Sequence, residues 1–206
     1  MEKPNIFLDL DDLIIKTKAV ALSYINKKYG VQITYDEYVN NNDELHKIIQ
    51  RHNSNFNLTF DEVYLDYGKN FLASMEWHED VELMEDVQEV ISLLSQKYTL
   101  WVVTARQKVG LNVINHLLNR HFQGCFKGIH CVYEWIEGIG YHGISKKDFI
   151  SNVSGEKLAF IDDSPKEILR MKNIIPTYLF DQDRLYNSME GVNRVQSWRD
   201  IGRIFL

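Results

Sequence analysis

Five short apolar runs punctuate the chain: Ile6–Leu10, Leu100–Val103, Gly128–Tyr133, Leu158–Ile161 and Thr177–Phe180. Each is about one strand long and continuous rather than alternating, the pattern of strands covered on both faces of a parallel sheet. Between them, apolar positions return at helical spacing. Val87, Val90, Ile91 and Leu94 follow the i, i+3, i+4, i+7 rule, and Val109, Val113 and Leu117 repeat it with Ile114 and Leu118 widening the stripe. Ser145 followed by Asp148 resembles a capping box that opens a helix through Phe149, Ile150 and Val153. Strand alternating with helix predicts an α/β fold, a Rossmann-like three-layer arrangement around a parallel sheet with right-handed crossovers.

One stretch breaks this rhythm. The first strand ends near Leu10, and the second begins only near Thr99. The gap is too long for a single crossover helix and too patterned for a loop. Helical stripes fill it, from Val20 to Tyr29, Leu45 to Ile49 and Phe60 to Met75, and the scarcity of proline, three in the whole chain, suits that helical load. Residues 17–80 are therefore expected to form a small all-helical insertion after the first strand. The α/β core is then 1–16 and 81–206, with Val81–Tyr98 leading back into it.

Composition narrows the function. A chain of 206 residues, 45% hydrophobic and 25% charged, can bury one real core, which excludes disorder as its main state. The formal charge of −6 argues against bulk nucleic-acid or membrane-surface binding, which need clustered cations. Two cysteines cannot make a disulfide scaffold. No signal-peptide pattern and no apolar stretch of membrane-spanning length is visible, so a cytoplasmic location is expected.

Chemistry gathers at the ends of the apolar runs. The first passes into Asp9-Leu10-Asp11-Asp12, three carboxylates in four residues. Like charges this close raise one another's pKa unless a cation intervenes, and a parallel sheet binds its ligand at the carboxyl ends of its strands. A divalent metal would offset the crowding; the bland alternative is a strand end turning into solvent with helix-capping Asp residues. Leu100–Val103 is followed by Thr104-Ala105-Arg106, where a hydroxyl at a strand tip beside a helix start can donate to an anion, or simply cap the helix. Leu158–Ile161 runs into Asp162-Asp163-Ser164-Pro165, a second pair of carboxylates at a strand end, and such hard oxygen ligands suit Mg²⁺. Before that strand, Ser145-Lys146-Lys147 opens a helix with cations able to neutralise the acids or a bound anion.

Taken in order, these segments resemble the four motifs of the haloacid dehalogenase-like superfamily of aspartate-nucleophile phosphatases. Ile6-Phe7-Leu8-Asp9-Leu10-Asp11 matches the first, Val102-Val103-Thr104 the second, Lys146 or Lys147 the third and Phe160-Ile161-Asp162-Asp163 the fourth. The helical insertion falls where that family carries its type 1 cap. The resemblance implies that Asp9 is the nucleophile, forming an aspartyl-phosphate. It implies that Asp11 is the acid and then the base, and that Thr104 and the lysine hold the phosphoryl oxygens. Ala105 and Arg106 are then expected beside the substrate with them. Mg²⁺ would bind Asp9, the main-chain carbonyl of Asp11, Asp162 and Asp163. Lys146 is preferred to Lys147, because Phe149 and Ile150 then face the core. Glu167 is a candidate for a later acid.

The chain departs from the common Asp-x-Asp-Gly-Thr-Leu form, having Asp12 in place of the glycine and Leu13 in place of the threonine. Size and the small cap are also similar to the 5′(3′)-deoxyribonucleotidases, which implies a small phosphorylated substrate such as a nucleotide. Tyr24, Tyr64, Tyr67, Phe71 and Trp77 could then stack on a base, or else form the cap's own core. The competing reading is a catalytically silent phosphate-binding or regulatory module on the same fold. A response-regulator receiver leaves no room for the insertion, and a dehalogenase would not need Asp11 and the second acid pair.

Other signals are weaker. Gly138 to Gly143 matches a dinucleotide fingerprint literally but lies late in the chain, where a loop or hairpin is expected. His116, His121, Cys125, His130, Cys131 and His142 cluster in sequence without zinc-ligand spacing, and Cys131 is expected inside a strand. His78, near the insertion's return to the core, could face the site as a substrate contact, but is expected to be solvated in a loop. The acidic run from Glu76 to Glu89 is expected to be a solvated helix start.

Overall fold

The computed structural model describes residues 2–40, 45–136, 140–186 and 191–206. Its sheet follows from the two-sided burial of the apolar runs. In β1 (Asn5–Leu8), Ile6 and Leu8 enter one apolar cluster and Phe7 another, and all three are fully buried. The first cluster is closed by α5 (Val87–Lys97), α6 (Leu111–His121) and α9 (Trp198–Phe205), through residues such as Ile91, Leu94, Ile114, Leu117 and Trp198. The second is closed by α7 (Lys146–Asn152) and α8 (Pro165–Met171), through Ile150, Ile168 and Met171. Three layers result, and neither face of the central strands meets water.

The other strands are β2 (Thr99–Gln107), β3 (Phe126–Ile136), β4 (Gly140–His142), β5 (Lys157–Asp162), β6 (Thr177–Phe180) and β7 (Asn193–Val195). Their order is β4-β3-β2-β1-β5-β6-β7, parallel throughout except for β4, which pairs antiparallel with the end of β3. The chain moves outward from β1 through β2 and β3, then returns to β5 on the other side of β1. This reversal opens a crevice at the carboxyl ends of β1, β2 and β5.

Between β1 and α5 the chain is helical: α1 (Thr17–Tyr29), α2 (Tyr35–Asn40), α3 (Leu45–His52), α4 (Phe60–Asp66) and a π-helical turn, Tyr67–Leu72. These elements have an apolar cluster of their own, built on Ala21, Tyr24, Ile25, Ile49, Val63 and Phe71. Thr59 and Glu62 form a reciprocal capping box at the start of α4. Asp66 accepts from Tyr24 Oη at 2.6 Å, Tyr29 Oη at 2.9 Å and Asn70 Nδ2 at 2.7 Å, binding α1, α4 and the π-helical turn together. The two chain crossings to the sheet run side by side, with Lys16 N donating to Glu82 O at 2.8 Å and Met84 N to Ile14 O at 3.0 Å.

The π-helical turn lies on the loop after β2. Gln107 Nε2 donates to Tyr64 O at 3.1 Å, and a Cβ on Gly68 would fall 2.4 Å from Gln107 Oε1. A Cβ on Gly110 would fall 2.9 Å from the main-chain oxygen of Leu72, which no side-chain rotation relieves. Gly110→Ala is therefore expected to cost about 1–3 kcal/mol by forcing two backbones apart. Hydrogen exchange should rise at Tyr67–Leu72 before it rises in β1; uniform exchange would contradict this.

Several expectations need correction. The first strand ends at Leu8, and β2 continues to Gln107 rather than stopping at Val103. Val109 is exposed in a 3₁₀ turn, Lys108–Gly110, so the α6 stripe starts later than the periodicity suggests. The last helical stripe stops at Leu72, short of Met75. Most of the acidic run precedes α5, and only Glu89 lies in its first turn. β4 completes a hairpin with β3 where a loop or hairpin is expected, whereas α2, the three-residue β7 and α9 fall outside the expected elements. Of the Gly138–Gly143 stretch, Gly138 and Ile139 lie outside the described residues, and Gly140–His142 form β4.

Candidate active site

The crevice brings the strand-end acids together. Asp9 directly follows β1, Asp162 closes β5 and Asp163 comes next; one carboxylate oxygen from each lies within 4.8 Å of the others. Lys146 enters from the first turn of α7, whose N-cap, Ser145, accepts from Asp148 N at 3.1 Å. Lys146 is 3% exposed and donates to Asp9 Oδ1 at 2.5 Å and to Asp162 Oδ2 at 2.7 Å, whereas Lys147 is exposed. Helical register decides between these neighbours, because Ile150 must face the sheet.

Lys146 pairs with Asp9 and Asp162 and Lys18 with Asp163, so two ammonium groups face three carboxylates. Burial pushes the Asp9 carboxyl well above its ordinary range; Lys146 opposes the rise, while Asp162, Asp11 and Asp163 reinforce it. Burial likewise lifts Asp162 to about 6 against the pull of Lys146. Lys146 itself would lose charge through burial, but Asp162 and Asp9 hold its pKa above that of an ordinary lysine. The cluster thus carries uncompensated negative charge on hard oxygen donors, a set that fits a Mg²⁺ ion.

Asp11 lies to the other side of β1. Arg106 Nε donates to its Oδ2 at 2.9 Å and Arg106 Nη2 to its Oδ1 at 2.7 Å, and Thr17 Oγ1 also donates to Oδ1. Burial would raise the Asp11 carboxyl, but Arg106 and Thr17 together outweigh it and hold the group below the ordinary range. Arg106, at the carboxyl end of β2, is buried and holds Asp11 while lining the cavity beside it. Thr104 is fully buried, and its oxygen accepts from Arg106 N at 3.2 Å, leaving its O–H to donate elsewhere. Ala105 is exposed.

The departures from the common first motif have local causes. Asp12 adopts φ 53°, a left-handed conformation that Asp tolerates better than most residues, and its Oδ1 accepts from Lys18 N at 3.1 Å in the first turn of α1. Burial, which outweighs Lys18, lifts its carboxyl to about 7. Leu13 is fully buried in the sheet core, where a hydroxyl would be out of place. Lys18 reaches back to Asp163 Oδ2 at 2.9 Å. It borders two cavities, each of about 200 Å³: one with Asp163, Tyr35 and Tyr186, the other with Asp11, Arg106, Tyr38, Tyr64 and Tyr67.

The aromatic residues divide. Tyr24 and Phe71 are buried and packed on each other, with Trp77 edge-on to Tyr24, whereas Tyr64 and Tyr67 line the second cavity. Glu167 pairs with Arg170 on α8. Cys131 is buried in β3, and among the described residues none of the clustered His and Cys side chains gathers into a metal-binding group. Lys18 and Thr17 escaped notice because a lysine and a threonine opening a helix look like surface and cap.

His78 is fully buried rather than solvated. Its Nδ1 meets Ser74 O at 2.9 Å and its ring packs 4.9 Å from that of Phe71. Burial, with Arg106 nearby, lowers its pKa to about 4. The unfolded chain, with a pKa of about 6.5, then binds more protons between these values, so stability is full above pH 6.5 and falls toward pH 4. His78→Leu is expected to flatten this part of the pH–stability curve, measured by urea unfolding; an unchanged slope would contradict it.

No protein-family model matches the sequence, and no curated protein matches it. Solved structures do match. One designated a phosphatase, from Clostridium difficile, is 18% identical, with TM-score 0.70 and complete coverage of both chains. The haloacid dehalogenase-like hydrolase SP0104 of Streptococcus pneumoniae is 15% identical, with TM-score 0.63 and 99% of each chain covered. The HAD-hydrolase YfnB of Bacillus subtilis, in a magnesium-bound form that reveals interdomain movement, is 17% identical, with TM-score 0.63, covering 100% of this chain and 99% of its own. The sheet, its crevice and the helical segment after β1 together make the fold of the haloacid dehalogenase-like hydrolases.

Proposed function

We propose that the chain is a Mg²⁺-dependent phosphomonoester hydrolase acting on a small metabolite such as a nucleotide. The observation that carries this reading is Lys146 held between Asp9 and Asp162 with Asp163 beside them, at the switch point of the sheet. An Asp9 oxygen attacks phosphorus and the bond to the leaving oxygen breaks, giving an aspartyl-phosphate. A water then attacks that phosphorus and regenerates the Asp9 carboxylate, releasing phosphate. Asp11, held as a carboxylate by Arg106, suits the base that takes the water's proton. It must leave that pairing before it can protonate a poor leaving group. Lys146 and the Thr104 hydroxyl donate to phosphoryl oxygens. Asp9, Asp162, Asp163 and the Asp11 carbonyl would hold the Mg²⁺, which supplies charge neutralisation for an incoming dianion.

Residues 17–80 serve as the cap over a core of 1–16 and 81–206. Tyr38, Tyr64 and Tyr67 around the cavity at Asp11 suit a planar leaving group, which favours a nucleotide. Among the described residues, no helix is long and apolar enough to cross a membrane, and a cytoplasmic location is part of the proposal. The test is hydrolysis of an aryl phosphate with and without Mg²⁺, followed by a panel of phosphorylated metabolites. Absence of Mg²⁺-dependent phosphate release would leave the silent phosphate-binding module as the better reading.

A further inference from the structure

The two lysines of the acid cluster are held in unlike ways. Lys146 is wedged between Asp9 and Asp162 and is 3% exposed. Lys18 stands at the rim, in the first turn of α1. Its backbone is pinned there, because its N–H donates to Asp12 Oδ1 at 3.1 Å and the preceding Thr17 donates to Asp11. From that fixed point its side chain reaches across to the core, with Nζ 2.9 Å from Asp163 Oδ2 and 3.6 Å from Asp12 Oδ2. The side chain is 29% exposed, and it borders a cavity on either side. It therefore has room to swing while α1 stays in place. Lys16, two residues earlier and also on the first cavity, turns instead to Glu82 at 2.8 Å.

We propose that Lys18 is a resident counter-ion of Asp163 that a divalent cation must displace, and that it thereby sets how tightly the acid cluster holds the cation. This rests on the metal site of the phosphohydrolase reading. Asp163 is one of the three acids whose oxygens converge within 4.8 Å, so the ammonium and a divalent ion call on the same carboxylate. At such short range the two cations repel with little screening. Lys18 is the one able to yield, since Lys146 has no free space beside its two partners. The competition weakens the site without altering any ligand. The displaced ammonium turns to the cavities it borders, one of which is lined by Asp11 and Arg106. Loading the cluster thus gives that wall an unpaired cation.

The test is binding of the metal alone to the full chain, without substrate: Mg²⁺ by calorimetry, and Mn²⁺ by its electron paramagnetic resonance signal. Lys18→Met, which keeps the stem and removes the charge, should bind Mg²⁺ at least about 10-fold more tightly than the wild type. Lys18→Arg, which keeps the charge, should stay within about threefold, and Lys16→Met within about twofold. Affinity unchanged or weakened by Lys18→Met overturns the proposal. Equal tightening by Lys16→Met also overturns it, by making the effect one of net charge. A second measurement, thermal melting in chelator, judges the pair without metal. Lys18→Met should lower the melting temperature, and should lower it less when Asp163→Asn has already removed the partner. Equal losses in both backgrounds overturn the pairing. If neither the wild type nor Lys18→Met binds either ion at millimolar concentration, the metal reading of the cluster falls and takes this proposal with it, whatever the melts show of the pair.

Discussion

Asp9→Asn is expected to reduce Mg²⁺-dependent turnover of an aryl phosphate by at least about 10³-fold, in line with the loss of other covalent nucleophiles. The amide keeps the shape of the carboxylate but cannot attack phosphorus at a useful rate. The chain should stay folded. Asp9 is one of three clustered acids, two of which pair with Lys146, and its neutral replacement leaves Lys146 paired with Asp162 at 2.7 Å. Burial and neighbouring acids already disfavour the Asp9 charge, so its removal relieves repulsion, and the melting temperature should hold or rise. The check is a rate measurement paired with a thermal melt. A variant that melts normally and still turns over substrate would place the nucleophile elsewhere.

Lys146→Met should act in the opposite sense on stability. The substitution keeps the apolar stem and removes the ammonium, leaving the buried carboxylates of Asp9 and Asp162 facing each other without a cation. Breaking a buried ion pair on one side costs about 3–5 kcal/mol, which for a domain of this size is a fall in melting temperature of about 10 °C. Two conditions should restore part of it. Mg²⁺ replaces the lost charge, so it should raise the melting temperature of the variant more than that of the wild type. Acid should help as well: the folded variant's carboxyls have pKa values above their unfolded values, so the destabilisation is full at high pH and fades as the pH falls through those raised pKa values. Melts at pH 7.5 and 5, with and without Mg²⁺, check both. A variant as stable as the wild type at pH 7.5 would mean that Lys146 does not bear the charge balance.

The strand ends of the site were legible because an apolar run buried on both faces has to stop at a polar residue, and in three of these strands that residue is Asp9, Thr104 or Asp162. Lys146 was legible through helical register. What lay beyond reading were pairings across the chain. Arg106 and Asp11 are 95 positions apart, and Lys18 and Asp163 are 145 apart. Nothing local marks an arginine after a threonine as the partner of a distant acid. His78 misleads for a related reason: it stands among Glu76, Glu79 and Asp80, a setting that looks wet, and is dry because a helical segment and a sheet close over it. The segment's helices other than the six-residue α2 were visible in their stripes, but its π-helical turn has the same apolar spacing as an ordinary helix. The edge strands β4 and β7 are too short to carry a period at all.

The glycine seats of the π-helical turn bear on how this fold could be recombined. Gly68 admits the Gln107 side chain, and Gly110 admits the Leu72 carbonyl, so each body carries half of a matched lock. A chimera that transplants residues 17–80 onto another sheet of this fold would bring Gly68 and Leu72 but leave Gln107 and Gly110 behind. A host with a branched side chain at the position of Gly110 could not seat the graft. The unit of exchange is therefore discontinuous in sequence: the helical segment together with the four residues Gln107–Gly110.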